Sequence, residues 1–137
     1  MILVDTSVLI GFLKGQSDPK TELLGEALSR DIPYGISAYT YQEVLQGARD
    51  EKEFAQLRDY LSTQTVYFLP ETLPTFEKAA RLFYGLRRKG VTPRGTIDIL
   101  IALTAIENKL FLLHNDRDFD AIAGVVPELK ILNALTL

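Results

Sequence analysis

Asp5, Glu43, Asp98 and Asp116 are the side chains in this sequence best suited to do chemistry together. Grouped carboxylates repel one another, which raises the pKa of some unless a divalent cation neutralises them. The chain has no cysteine and a single histidine, His114, which removes thiolate sites and most zinc and Ser-His-Asp chemistry. Any metal held by its side chains must be held mainly by oxygen, and that selects a hard cation such as Mg²⁺ or Mn²⁺. A cation of this kind lowers the pKa of water and polarises a phosphoryl oxygen, as phosphodiester hydrolysis requires.

Taken singly, each acid has a plainer explanation. Asp5, just before Thr6-Ser7, can cap a helix. Glu43 follows Thr40 by three residues, the spacing of a capping box. Asp98 can be an acid at a helix N-terminus, steadied by free N–H groups and the helix dipole. Asp116 lies in Asn115-Asp116-Arg117-Asp118-Phe119-Asp120, where turn chemistry welcomes Asp and Asn. None of these explanations predicts that all four face one edge of the fold.

The elements that would position them read as an alternation of strands and helices. Residues 1–4 form an all-apolar run short enough for a buried strand, and a short apolar helix follows Thr6-Ser7. Asp18-Pro19 opens a second helix. Residues 32–37 and 65–69 read as strands, with helices over 38–47, ended by Gly47, and over 51–61. The longest helical pattern covers 72–89, and Thr96 is the expected N-cap of a helix over 97–108. That helix is apolar on nearly every side, so an ionised Asp98 needs a partner there. Residues 110–113 form another strand, and 125–132 hold a last one. This order predicts an α/β fold, a mostly parallel sheet covered on both faces, in one domain over residues 1–137. Ligands bind such sheets outside the carboxyl ends of the strands. Asp5 and Asp116 follow strands there, and the helices carrying Glu43 and Asp98 approach the same edge.

Net charge is −3, from 15 basic and 18 acidic residues, which by itself argues against a nucleic-acid partner. Its distribution points the other way. No acid lies between Glu77 and Asp98, while Lys78, Arg81, Arg87, Arg88, Lys89 and Arg94 do. Arg81, Arg87, Arg88, Lys89 and Arg94 are therefore candidates to hold the phosphates of a phosphodiester substrate, although a basic helix C-terminus complementing its own dipole explains the stretch equally well. The apolar start is too short for a signal-peptide core, and no stretch approaches the ~20 apolar residues of a membrane span. A cytoplasmic location without membrane attachment is expected.

The segments Ile2-Leu3-Val4-Asp5-Thr6-Ser7-Val8-Leu9-Ile10, Ile36-Ser37-Ala38-Tyr39-Thr40-Tyr41-Gln42-Glu43-Val44, Asp98-Ile99-Leu100-Ile101-Ala102 and Asn115-Asp116-Arg117-Asp118-Phe119 resemble, in order and spacing, the motifs of PIN domains. Over nearly the whole chain the pattern is similar to VapC toxins, the PIN-domain ribonucleases of toxin–antitoxin pairs. The resemblance implies a three-layer α/β/α sandwich with strand order 3-2-1-4-5. It also implies Mg²⁺- or Mn²⁺-dependent cleavage of RNA, homodimers, and a cognate antitoxin that occupies the site. Asp5, Glu43 and Asp98 match the three firmest acidic positions, and Thr6 matches a hydroxyl that orients ligands or water. For the fourth acid the loop offers both Asp116 and Asp118; Asp116, closer to the strand end, is favoured, with Asp118 in a supporting place. In this reading Asp5, Asp98 and Asp116 hold the metal, and Glu43 positions or deprotonates the attacking water.

A dehalogenase-type phosphatase would need a second aspartate after Asp5-Thr6, where Ser7 stands. A receiver domain would need an acidic pair near the first strand and a late lysine. A PIN nuclease that processes RNA, or a non-catalytic RNA-binding or interaction module, would share most of these features.

Overall fold

The computed structural model describes residues 1–137. Five parallel strands form one sheet of order β3-β2-β1-β4-β5. In chain order the elements are β1 (Ile2–Val4), α1 (Thr6–Leu13), α2 (Pro19–Ser29), β2 (Tyr34–Ser37), α3 (Ala38–Gln46), α4 (Glu51–Leu61), β3 (Thr65–Tyr67), α5 (Leu73–Arg88), α6 (Thr96–Glu107), β4 (Phe111–Leu113), α7 (Arg117–Val125) and β5 (Lys130–Ile131). The expected strand order and the three layers are both present.

The layers follow from the period of two in a strand. On β1, Ile2 and Val4 point into a core built with Val8, Leu9, Leu24, Ala27, Ile36 and Leu61, under α1 to α4. Leu3 points the other way, into a second core with Leu86, Ile99, Ala102, Leu112, Phe119 and Ile122, under α5 to α7. All three β1 residues are buried, so the all-apolar run belongs to a central strand covered on both sides. Gly35 has a steric cause. A Cβ there would lie 2.6 Å from the Tyr67 ring and 2.7 Å from the Thr65 carbonyl, so β2 and β3 pair closely only because the side chain is missing.

Helix ends differ from the sequence reading in places. Gly95, not Thr96, is the N-cap of α6, and Thr96 is its first helical residue. Gly47 is the C-cap of α3 but has φ −80°, so the left-handed freedom of glycine is not used there. Gly90, beyond α5, does use it, with φ +83°. Helix α7 was not anticipated; its run of charged residues reads as a turn, yet Phe119 and Ile122 anchor it in the second core. No helix is long and apolar enough to cross a membrane.

Candidate active site

The carboxyl ends of β1 and β4 are tied together, because the Asp5 N–H donates to the Leu113 carbonyl at 2.9 Å. Asp5 is buried at the start of α1. Its Oδ2 accepts from the Ser7 N–H at 3.1 Å and from the Ser7 hydroxyl at 2.6 Å. Burial pushes its carboxyl up from the ordinary value, against the pull of those Ser7 donors. The Ser7 Oγ also accepts from the Asn115 N–H at 3.0 Å, which links the loop after β4 to the loop after β1. Asp5 thus does cap a helix, as its plainer explanation has it, and also faces the other acids.

Glu43 is not part of a capping box. Helix α3 begins at Ala38, and its cap is Ser37, whose Oγ accepts from the Thr40 N–H at 3.0 Å. Glu43 therefore sits in the second turn of the helix, with its own N-terminal donors already served. Its Oε1 accepts from the Thr6 hydroxyl at 2.8 Å, and the Thr6 Oγ1 lies 3.0 Å from the Thr40 Oγ1. The single hydroxyl proton of Thr6 goes to the shorter contact, the charge-assisted one with the carboxylate.

Asp98 is the third residue of α6 and half-buried. Burial pushes it up to about 6, and repulsion from Asp5, Asp116, Asp118 and Glu43 adds to the rise. One oxygen from each of Asp98, Asp116 and Asp118 lies within 4.8 Å of the other two. The compact trio is thus Asp98, Asp116 and Asp118, with Asp5 and Glu43 close enough to act on it electrostatically. This differs in emphasis from the sequence reading, which gave Asp118 only a supporting place and grouped Asp5 with Asp98 and Asp116 around the metal. Three carboxylates and no competing sulfur or free imidazole make an oxygen donor set, the kind a hard divalent cation takes.

Asp116 caps α7, with its Oδ1 accepting from the Asp118 N–H at 3.0 Å. Its own N–H donates to the Nδ1 of buried His114 at 3.0 Å. That acceptor role leaves the imidazole proton on Nε2, which faces the Asp120 Oδ1 at 3.1 Å. Burial lowers the His114 pKa, in keeping with a neutral ring. The ring also packs on Phe119, centroids 5.1 Å apart.

Arg94 stands apart from the other basic candidates. Its Nη2 donates to Asp116 Oδ1 at 2.9 Å and its Nε to Asp118 Oδ2 at 3.0 Å. These contacts hold the Asp118 carboxyl below the usual aspartate range. Arg81, Arg87, Arg88 and Lys89 lie exposed along α5 and at its end, where Arg88 covers the Tyr84 ring at 5.7 Å. Sequence reasoning placed Arg94 with this basic stretch and took it for a phosphate ligand; in the structure its guanidinium is engaged by two carboxylates. It also passed over Ser7 and the imidazole behind Asp116. Only Ser7 left a signal, a hydroxyl two residues past an acid that caps a helix.

The family model of the PIN domain matches residues 2–125. The chain belongs to the PIN-domain family. This PIN domain is 33% identical over 127 residues to Ribonuclease VapC51 of Mycobacterium tuberculosis, covering 90% of this chain and 85% of that protein. It is 28% identical over 126 residues to Ribonuclease VapC11 of the same species, covering 91% and 93%. Among solved structures, DNA-bound VapBC from Salmonella typhimurium superposes with a TM-score of 0.71 at 26% identity, covering 96% of each chain.

Proposed function

We propose that this PIN domain is a divalent-metal-dependent endoribonuclease, the toxin of a toxin–antitoxin pair. The observation that carries the reading is the trio Asp98, Asp116 and Asp118, gathered within 4.8 Å at the carboxyl edge of a parallel sheet. Its likeness to proteins named VapC ribonucleases, and to a chain of a VapBC complex, supports both RNA as substrate and an antitoxin as partner.

Asp98, Asp116 and Asp118 would hold Mg²⁺ or Mn²⁺, with Asp5 beside them. A cation there supplies positive charge for the phosphoryl oxygens and makes water more acidic. Asp98, pushed up to about 6 by burial and the neighbouring acids, would give up its proton to hold a cation. Glu43 is fixed by the Thr6 hydroxyl on one oxygen and keeps the other for an attacking water, which it orients and deprotonates. Asp5, steadied by both Ser7 donors on Oδ2, would add its charge to the cation site beside the trio. Arg81, Arg87, Arg88 and Lys89 would meet RNA phosphates along α5. A single domain over 1–137, a homodimer and a cytoplasmic location complete the proposal.

The test is to incubate purified protein and cellular RNA with Mn²⁺, then map the fragment ends by sequencing. Discrete ends should form with the wild type and vanish with Asp5→Asn and Asp98→Asn, both still folded. Equal cutting by folded Asp98→Asn would refute the assignment.

A further inference from the structure

Arg94 precedes α6 in the loop between Gly90 and Gly95, and its side chain is 71% exposed apart from its anchored tip. One edge of its guanidinium spans two carboxylates, Nη2 on Asp116 Oδ1 and Nε on Asp118 Oδ2. The same two oxygens also accept backbone protons, from Asp118 N–H at 3.0 Å and from Arg94 N–H at 3.3 Å. Four hydrogens therefore crowd two oxygens of the very residues that make up the metal-holding trio. A carboxylate oxygen offers about two lone pairs, so both are filled, and each carboxylate keeps only its other oxygen for a cation.

We infer that Arg94 is a built-in counter-ion of the carboxylate trio, which a divalent cation must displace to bind. The inference rests on the metal-dependent reading of the site and adds a threshold to it. A guanidinium and a divalent ion sharing Asp116 and Asp118 would stand a few ångströms apart. At an effective dielectric of ~20 the repulsion between them is well above thermal energy. The two cannot both hold these carboxylates at full strength. The guanidinium is the one able to leave, since its long stem is exposed and its loop lies between two glycines.

Arg94 therefore lowers the cation affinity of the site while keeping its carboxylates neutralised and ordered when no cation is there. A cluster left bare would repel itself apart. The exchange also gives the site a preference for small doubly charged ions over K⁺, which cannot outcompete a forked guanidinium at the same two carboxylates.

Calorimetric titration of Mn²⁺ into metal-stripped wild type, Arg94→Gln, Arg94→Lys and Asp98→Asn reads the exchange directly. Exposed ion pairs of this kind are each worth up to a few-fold in an equilibrium constant, so Arg94→Gln should bind Mn²⁺ roughly 3- to 30-fold more tightly. Arg94→Lys, which keeps the charge and loses the fork, should fall between it and the wild type. Circular dichroism confirms that each variant is folded. Weaker or unchanged Mn²⁺ binding by Arg94→Gln would overturn the inference and leave the metal site standing. A wild type that takes up no Mn²⁺, or an Asp98→Asn that binds as well as wild type, would overturn the metal-dependent reading itself.

Discussion

Asp98→Asn should make the metal-free protein more stable at the same time as it removes activity. Asp98 rises from 3.8 to about 6 because burial and four neighbouring acids oppose its charge. Its folded form binds a proton more tightly than its unfolded form, so ionisation above pH 6 destabilises the fold. That penalty shrinks as pH falls through about 6 and is gone below 3.8. The rise corresponds to roughly 3 kcal/mol. Solvent screening at a half-exposed side chain reduces it to about 1–2 kcal/mol. For a chain of this length that is a Tm increase of about 4–8 °C. Thermal melts by circular dichroism at pH 7.5 in chelator should show Asp98→Asn above the wild type. At pH 5 the difference should narrow, because the wild type is then largely protonated at this position. Added Mn²⁺ should raise the wild-type melt and leave the variant where it was. A variant that melts at or below the wild type in chelator at pH 7.5 would refute the claim that crowded negative charge strains this site.

Two further outcomes follow from contacts already described. Thr6→Val removes the 2.8 Å hydroxyl donor to Glu43, so steady-state cleavage should show kcat lowered about tenfold, with most activity restored by Thr6→Ser. Phe119→Ala empties the fully buried ring position behind His114 in the second core, and urea denaturation should record a loss of about 3–5 kcal/mol.

The parts of the fold legible from sequence are those where local pattern and global place agree. Residues 2–4 are apolar because both faces of β1 are covered, and Asp5 follows because the strand ends at the site. Residues 110–113 carry the same message for β4. Helix α7 was hidden because Asp116, Arg117, Asp118 and Asp120 give it the composition of a loop, while only Phe119 and Ile122 are fully buried. The plainer capping-box explanation of Glu43 fails for a related reason. Thr40 stands at capping-box distance in sequence, but Ser37 had already taken the cap, and the true partner is Thr6, 37 positions away. Contacts of that span leave no periodicity to read. Arg94 was assigned by its neighbours in the chain, whereas its place is decided by residues 22 and 24 positions on. Asp116 and Asp118 could not be separated from sequence because both belong to the cluster.

The bond from the Asn115 N–H to the Ser7 Oγ joins positions 108 residues apart. A ribosome must therefore synthesise most of the polypeptide before the first loop finds its partner. Until residues 111–113 emerge and dock, β1 has a bare hydrogen-bonding edge, and the acids it will share a pocket with do not yet exist or have nowhere to meet. The carboxylate cluster is in this way kept from assembling while the chain is being made, by the order in which its own backbone becomes available.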